Sequence, residues 1–125
     1  MTGVQTCALP IFLIDGRSQR SCITKAAAVG DRKVTTIEGL ANGDQLHPVQ
    51  TAFLEEGALQ CGYCTSGMIM SAVALLDRNP HPTPREIVNF MDGNVCRCGT
   101  YLRIIAAIQK ATKASPASAE EKRPR

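Results

Sequence analysis

The chain has 125 residues, 44% hydrophobic and 20% charged, with a formal net charge of +3, a composition that fits one soluble domain or two very small ones. Most of the positive excess lies at the C-terminal end, where Lys113, Lys122, Arg123 and Arg125 stand against Glu120 and Glu121; the body keeps no polybasic face, which argues against a nucleic-acid partner. The longest apolar run without a charge, Thr65 to Leu76, has 12 residues, short of the ~20 that a membrane-spanning helix needs.

In chain order, Thr2 to Ile11 reads without a gap as the translation of a common short-read sequencing adapter. Residues 1–11 are therefore expected to be an appended artefact, outside fold reasoning, with natural sequence starting near Phe12 on a chain truncated at its N-terminus. Phe12-Leu13-Ile14 followed by Asp15-Gly16 predicts a strand and a tight turn, with the return strand beginning at Ser21-Cys22-Ile23. Val34 to Ile37 is a second short β-prone run. Together these make the edge of a small sheet, too little to bury a core alone. Ala41 to Asp44 reads as a turn or linker.

The pattern then turns helical. Pro48 suits a first helical position, with Val49, Ala52 and Phe53 on one face and Gly57 as the stop. A second helix, Ser66 to Arg78, is apolar on nearly every side, and Asn79-Pro80-His81-Pro82 ends it. Thr83-Pro84-Arg85-Glu86 supplies a capping box for a third helix running to Asp92 and Gly93. The fourth carries Tyr101, Ile104, Ile105 and Ile108 on one stripe, with Arg103 and Lys110 away from it. From Lys113 onward, Ala, Ser, Pro and charges predict a disordered tail.

Six cysteines are the compositional anomaly. Four form two tight pairs, Cys61/Cys64 and Cys96/Cys98, each in a loop between helices, a spacing suited to gripping a metal rather than stapling distant loops. An up-down-up-down bundle puts the loop between helices one and two at the same end as the loop between three and four. Connectivity alone thus brings four thiolates toward one point. Such a set can hold structural zinc or an iron–sulfur cluster. The single residue between Cys96 and Cys98 is uncommon in zinc knuckles and suits two sulfurs on one iron of a cluster. Each loop also ends at a helix start, where free backbone N–H groups can hydrogen-bond sulfur.

The segments Gln60-Cys61-Gly62-Tyr63-Cys64-Thr65-Ser66-Gly67-Met68 and Gly93-Asn94-Val95-Cys96-Arg97-Cys98-Gly99-Thr100-Tyr101, with 31 residues between Cys64 and Cys96, resemble the helical 2Fe–2S domain of the xanthine dehydrogenase family of molybdenum hydroxylases. More narrowly, the second segment is similar to small subunits of the isoquinoline 1-oxidoreductase and bacterial aldehyde oxidoreductase kind, and the likeness covers about residues 12–112. One departure is Ser66, where that family commonly has proline; serine can still begin a helix.

The resemblance implies an α+β chain: a remnant of a ferredoxin-like (β-grasp) sheet over residues 12–43, then a four-helix 2Fe–2S-binding bundle over 44–112. It implies Cys61, Cys64, Cys96 and Cys98 as ligands of one 2Fe–2S cluster, and Gln60 beside the molybdopterin of a partner subunit. Family members carry two clusters. Asp15 to Cys22 resembles the segment ending in the last ligand of the other one, so Cys22 is expected to be a remnant ligand of an incomplete site. The three earlier ligands of that site should precede Phe12. Cys7 falls where one of them would align, a coincidence on the adapter reading.

The function so implied is electron transfer from a molybdopterin centre in a large catalytic subunit that oxidises an aldehyde or N-heterocycle. A FAD subunit or a cytochrome is the expected acceptor, and the compartment is cytoplasmic or periplasmic. Two rivals come from other classes: a structural zinc-binding helical module without redox work, and a freestanding ferredoxin-like carrier. The all-round apolar second helix argues for a sizeable partner, because a lone small bundle would expose part of it. Of the remaining polar residues, Arg97 could balance cluster charge or be merely exposed. His47 and His81 flank prolines at helix boundaries and are expected to be structural or exposed. No nucleophile–base set and no phosphate-cradling glycine loop is present.

Overall fold

A computed structural model of the chain describes residues 11–114; the expectations for the first ten residues, Cys7 among them, and for the tail from 115 onward lie outside these. Strand β1 (Ile11–Ile14) and β2 (Arg17–Arg20) form a hairpin around Asp15 and Gly16. Both turn residues have positive φ, 50° and 76°, the handedness that matches the twist of a two-residue hairpin. A short β3 (Val34–Thr35) pairs antiparallel with the other edge of β1, giving the order β2-β1-β3. Ile11, the last residue of the adapter-like segment, opens β1 opposite Arg20.

The return strand differs from its expected place. It starts directly after Gly16, while Ser21–Ile23 is a 3-10 turn holding an exposed Cys22. A two-residue turn sets the register at once, so polar Arg17-Ser18-Gln19-Arg20 pairs despite its low strand propensity. Helix α1 (Ala26–Val29), a single turn, has no counterpart in the sequence expectation.

Helices α2 (Pro48–Glu55), α3 (Thr65–Arg78), α4 (Pro84–Met91) and α5 (Tyr101–Ala114) stand close to their predicted spans. Two are capped alike. Thr83 Oγ1 accepts the Glu86 N–H at 3.3 Å while Glu86 Oε2 accepts the Thr83 N–H at 2.7 Å. In α2, His47 Nδ1 accepts the Val49 N–H at 3.2 Å and Gln50 Oε1 accepts the His47 N–H at 2.9 Å. His47 is thus a structural cap, and His81 lies exposed.

α3 is the axis of the core. Its residues Gly67 to Leu75 are buried without interruption, because β1 and β2 cover one side and α2, α4 and α5 the others. At roughly 1.5–3 kcal/mol for each large apolar side chain withdrawn from water, Met68, Ile69, Met70, Val73 and Leu75 make this helix the main stabilising element. The all-round apolar surface of α3 is therefore satisfied inside the chain and calls for no partner, contrary to the sequence expectation. What sequence reasoning left out is that the sheet packs on this helix: Leu13 joins the same core and Ile14 is buried as well. Along α5 the buried stripe is Ile104, Ala107, Ile108 and Ala111, whereas Tyr101 is 43% exposed.

Candidate metal centre

The two cysteine loops follow α2 and α4 and lead into α3 and α5. Gly57 closes α2: the Ala58 N–H donates to the Phe53 carbonyl at 2.9 Å and the Gly57 N–H to Leu54 at 3.1 Å, which turns the chain back toward Cys61. The second loop is anchored from the sheet. Arg20 Nη2 donates to the Gly93 carbonyl at 2.9 Å, just ahead of Cys96. Gly62 and Gly99 adopt φ of 80° and 74°, a region that side chains with a Cβ disfavour, and each follows a cysteine directly.

These loops bring Cys61, Cys64, Cys96 and Cys98 together as one group of mutually interacting thiols. Across the loops, Cys61 and Cys98 shift each other's ionisation, and so do Cys64 and Cys96, while the charge of Cys96 also reaches Cys61 and Cys98. Among the described residues no three His, Cys, Asp or Glu side chains close on a single ion.

The pairs differ in burial. Cys96 is 6% exposed and Cys64 half-buried, while Cys61 and Cys98 lie exposed. Burial pushes the Cys64 thiol up to about 11, reinforced by the Cys96 sulfur and its charge. Burial also works against ionising Cys96, but the hydroxyl and backbone N–H of Thr100, the Cys64 thiol and the Cys98 N–H outweigh it and bring that thiol down to about 7. At the exposed pair, the Tyr63 backbone N–H and the Cys98 thiol lower Cys61. The Cys61 N–H favours the Cys98 thiolate, yet the hydrogen bond with the Cys61 sulfur, desolvation and neighbouring thiolate charge leave Cys98 shifted up. Backbone and hydroxyl donors aimed at sulfur are the surroundings that stabilise metal-bound thiolates. Four thiols with such donors around them form a set that would fit a two-iron cluster.

Two residues here are missed by sequence reasoning. Thr100 Oγ1 lies 3.2 Å from Cys96 Sγ, and the Tyr101 hydroxyl accepts the Cys96 N–H at 2.8 Å. Periodicity assigns Tyr101 to an apolar stripe; the legible signal is a hydroxyl pair directly after Cys-Arg-Cys-Gly. Gln60 and Arg97 are exposed beside the loops. Cys22 stands in its 3-10 turn, outside the four-thiol group.

Comparison with known proteins agrees with this chemistry and not with a zinc module. Residues 36–109 match the 2Fe-2S binding domain family. The alpha chain of isoquinoline 1-oxidoreductase from Brevundimonas diminuta is 50% identical over 111 residues, covering 89% of this chain and 72% of the relative. The small FeS subunit of nicotinate dehydrogenase from Eubacterium barkeri is 42% identical over 107 residues, covering 86% and 68%. The crystal structure of quinoline 2-oxidoreductase from Pseudomonas putida 86 superposes with a TM-score of 0.80 at 38% identity, over 91% of this chain and 73% of that one. With thiols apposed across two helix-entry loops and these likenesses spanning most of its length, the chain belongs to the 2Fe–2S binding domain family, among the iron–sulfur subunits of the molybdenum hydroxylases.

Proposed function

We propose that the chain is the electron-transfer subunit of a multi-subunit molybdenum oxidoreductase, not catalytic by itself, with Cys61, Cys64, Cys96 and Cys98 as ligands of one 2Fe–2S cluster. The observation that carries this is the apposition of the two thiol pairs, Cys61 with Cys98 and Cys64 with Cys96. When bound, a 2Fe–2S cluster takes up and releases one electron at a time. The chain's own contribution is thiolate ligation, N–H and O–H donors to sulfur, and burial of one sulfur pair by the helical core. β1–β3 read as part of a ferredoxin-like (β-grasp) sheet and α2–α5 as a four-helix cluster-binding unit. Cys22 is then a ligand of a separate site.

The partner is a large molybdopterin-binding subunit, with a FAD subunit or a cytochrome as the acceptor. Since α3 is covered, the docking face is the end bearing the exposed pair. Gln60 would meet the pterin there, and Tyr63 and Val95 in the loops and Leu102 at the start of α5 are exposed at 43%, 65% and 83%. Exposed apolar side chains of this kind suit the centre of an interface.

Reconstitution with iron and sulfide tests the reading. The expected product is brown, with about two irons per chain by the cluster formula and one EPR signal when reduced. A colourless protein that takes up zinc in preference to iron returns the structural-module reading. Four irons and two signals would place a second working cluster in the chain.

A further inference from the structure

The four thiols differ in one respect that the ligand set alone does not explain. The Cys96 sulfur has a side-chain hydroxyl in contact, Thr100 Oγ1 at 3.2 Å, and between a thiol and an alcohol either atom can donate. A metal-bound cysteine has lost its proton, so Thr100 O–H becomes the only possible donor of that contact. The geometry is held from both sides. The Gly99 N–H donates to the Cys96 carbonyl at 3.2 Å, and the Ile104 N–H donates to the Thr100 carbonyl at 3.0 Å, fixing Thr100 at the entry of α5. The Cys96 N–H is tied to the Tyr101 hydroxyl at 2.8 Å. Cys96 to Tyr101 is thus a closed turn that presents one hydroxyl to one buried sulfur, with little water to compete.

A hydrogen bond to sulfur strengthens as the sulfur becomes more negative. Uptake of one electron adds negative charge to the ligand set, so a fixed donor stabilises the reduced form more than the oxidised one. We infer that Thr100 is a positioning residue that sets the reduction potential of this centre, holding its O–H on the Cys96 sulfur and favouring the reduced state. The step is one electron in and one electron out. No bond is made or broken, and the proton remains on Thr100 Oγ1. The inference rests on the ligand assignment proposed above and adds a tuning residue to it.

The test is a redox titration of the reconstituted full chain, followed by visible absorption and EPR, for wild type, Thr100→Val and Thr100→Ser. Thr100→Val should keep wild-type iron and sulfide. Poised at the wild-type midpoint, its ratio of reduced to oxidised protein should fall roughly tenfold, a shift of about 59 mV to more negative potential for one electron. Thr100→Ser, which keeps the hydroxyl, should titrate like wild type. A purely structural role would lower thermal stability in Thr100→Val and leave the midpoint in place. Full iron content with an unchanged midpoint overturns the inference while the ligand assignment stands, and so does a serine variant shifted as far as valine. Should Thr100→Val lose iron, Thr100→Ala removes the same hydroxyl with a smaller side chain and is judged by the same midpoint criterion. A wild-type chain that binds no iron and sulfide overturns the ligand assignment, and this inference with it.

Discussion

The sheet region, residues 11–43, and the helical region from α2 to α5 reach burial in different ways. In the helical region each helix has a buried face and α3 is enclosed on every side. In the sheet region Leu13 and Ile14 are the fully buried hydrophobic residues, and β2 is almost wholly polar. The helices share a core that holds the cysteine loops in register. The sheet has no core of its own and is stabilised by lying on α3. The strands are too short to bury a core alone, and β1 instead contributes Leu13 to the helical core. The sheet in turn reaches the site through Arg20 on Gly93.

The sharpest way to break this contrast is through its cysteines. Cys98→Ser in the helical region should lower cluster content to below roughly a tenth of wild type, since a hard oxygen donor replaces thiolate. Cys22→Ser in the sheet region should leave that cluster unchanged. Iron and labile-sulfide analysis of both variants decides it, and equal losses would erase the distinction.

Core deletions come next. Phe53→Ala, at 1% exposure, should destabilise by about 3–5 kcal/mol, and Leu13→Ala by about 2–5 kcal/mol. Both should be read from a single cooperative denaturation curve. Ile23→Ala, at 76% exposure, should stay within about 0.5 kcal/mol. Two separate transitions in urea would show that the sheet folds apart from the helices.

The link between the regions is a smaller effect. Arg20→Ala should cost about 1 kcal/mol and speed amide exchange at Asn94 to Cys98 more than at Cys61 to Cys64. Uniform acceleration of both loops would mean that Arg20 acts on global stability and not on the second loop.

The smallest effect is a pH slope at the start of α2. Burial lowers the His47 pKa below 6.5, partly offset by the charge of Asp77. The folded state then binds fewer protons than the unfolded one as pH falls through about 6.5. Stability from this residue is complete above that pH and declines on acidification toward the depressed folded value. Asp77, raised by burial, contributes in the opposite sense in a more acidic window. Denaturation between pH 7.5 and roughly 5.5 should show the decline in wild type, and His47→Asn, which keeps a capping side chain, should flatten it. An unchanged slope in His47→Asn assigns the pH dependence to another group.

Much of the helical region was legible because its signals are local. Pro48 and the Thr83-to-Glu86 box start helices whose first residues they predict, and Gly57 ends α2 where expected. The cap at His47 was less legible, since histidine is a rare acceptor in that role. The hairpin was half legible: Asp15-Gly16 placed the turn, but Arg17 to Arg20 carry no strand signal, and their pairing with β1 comes from register alone.

Spacing in the chain by itself determined that four cysteines fall in two loops at helix starts, the approximate helical spans and the absence of an apolar run long enough to cross a membrane, because each is set by residues close together in sequence. Only the tertiary structure decided which sulfurs face each other, that α3 is covered from within, and that Thr100 and Arg20 reach the second loop. Those contacts join the ends of separate elements, and their geometry follows from how helices and sheet pack together, which no local pattern encodes.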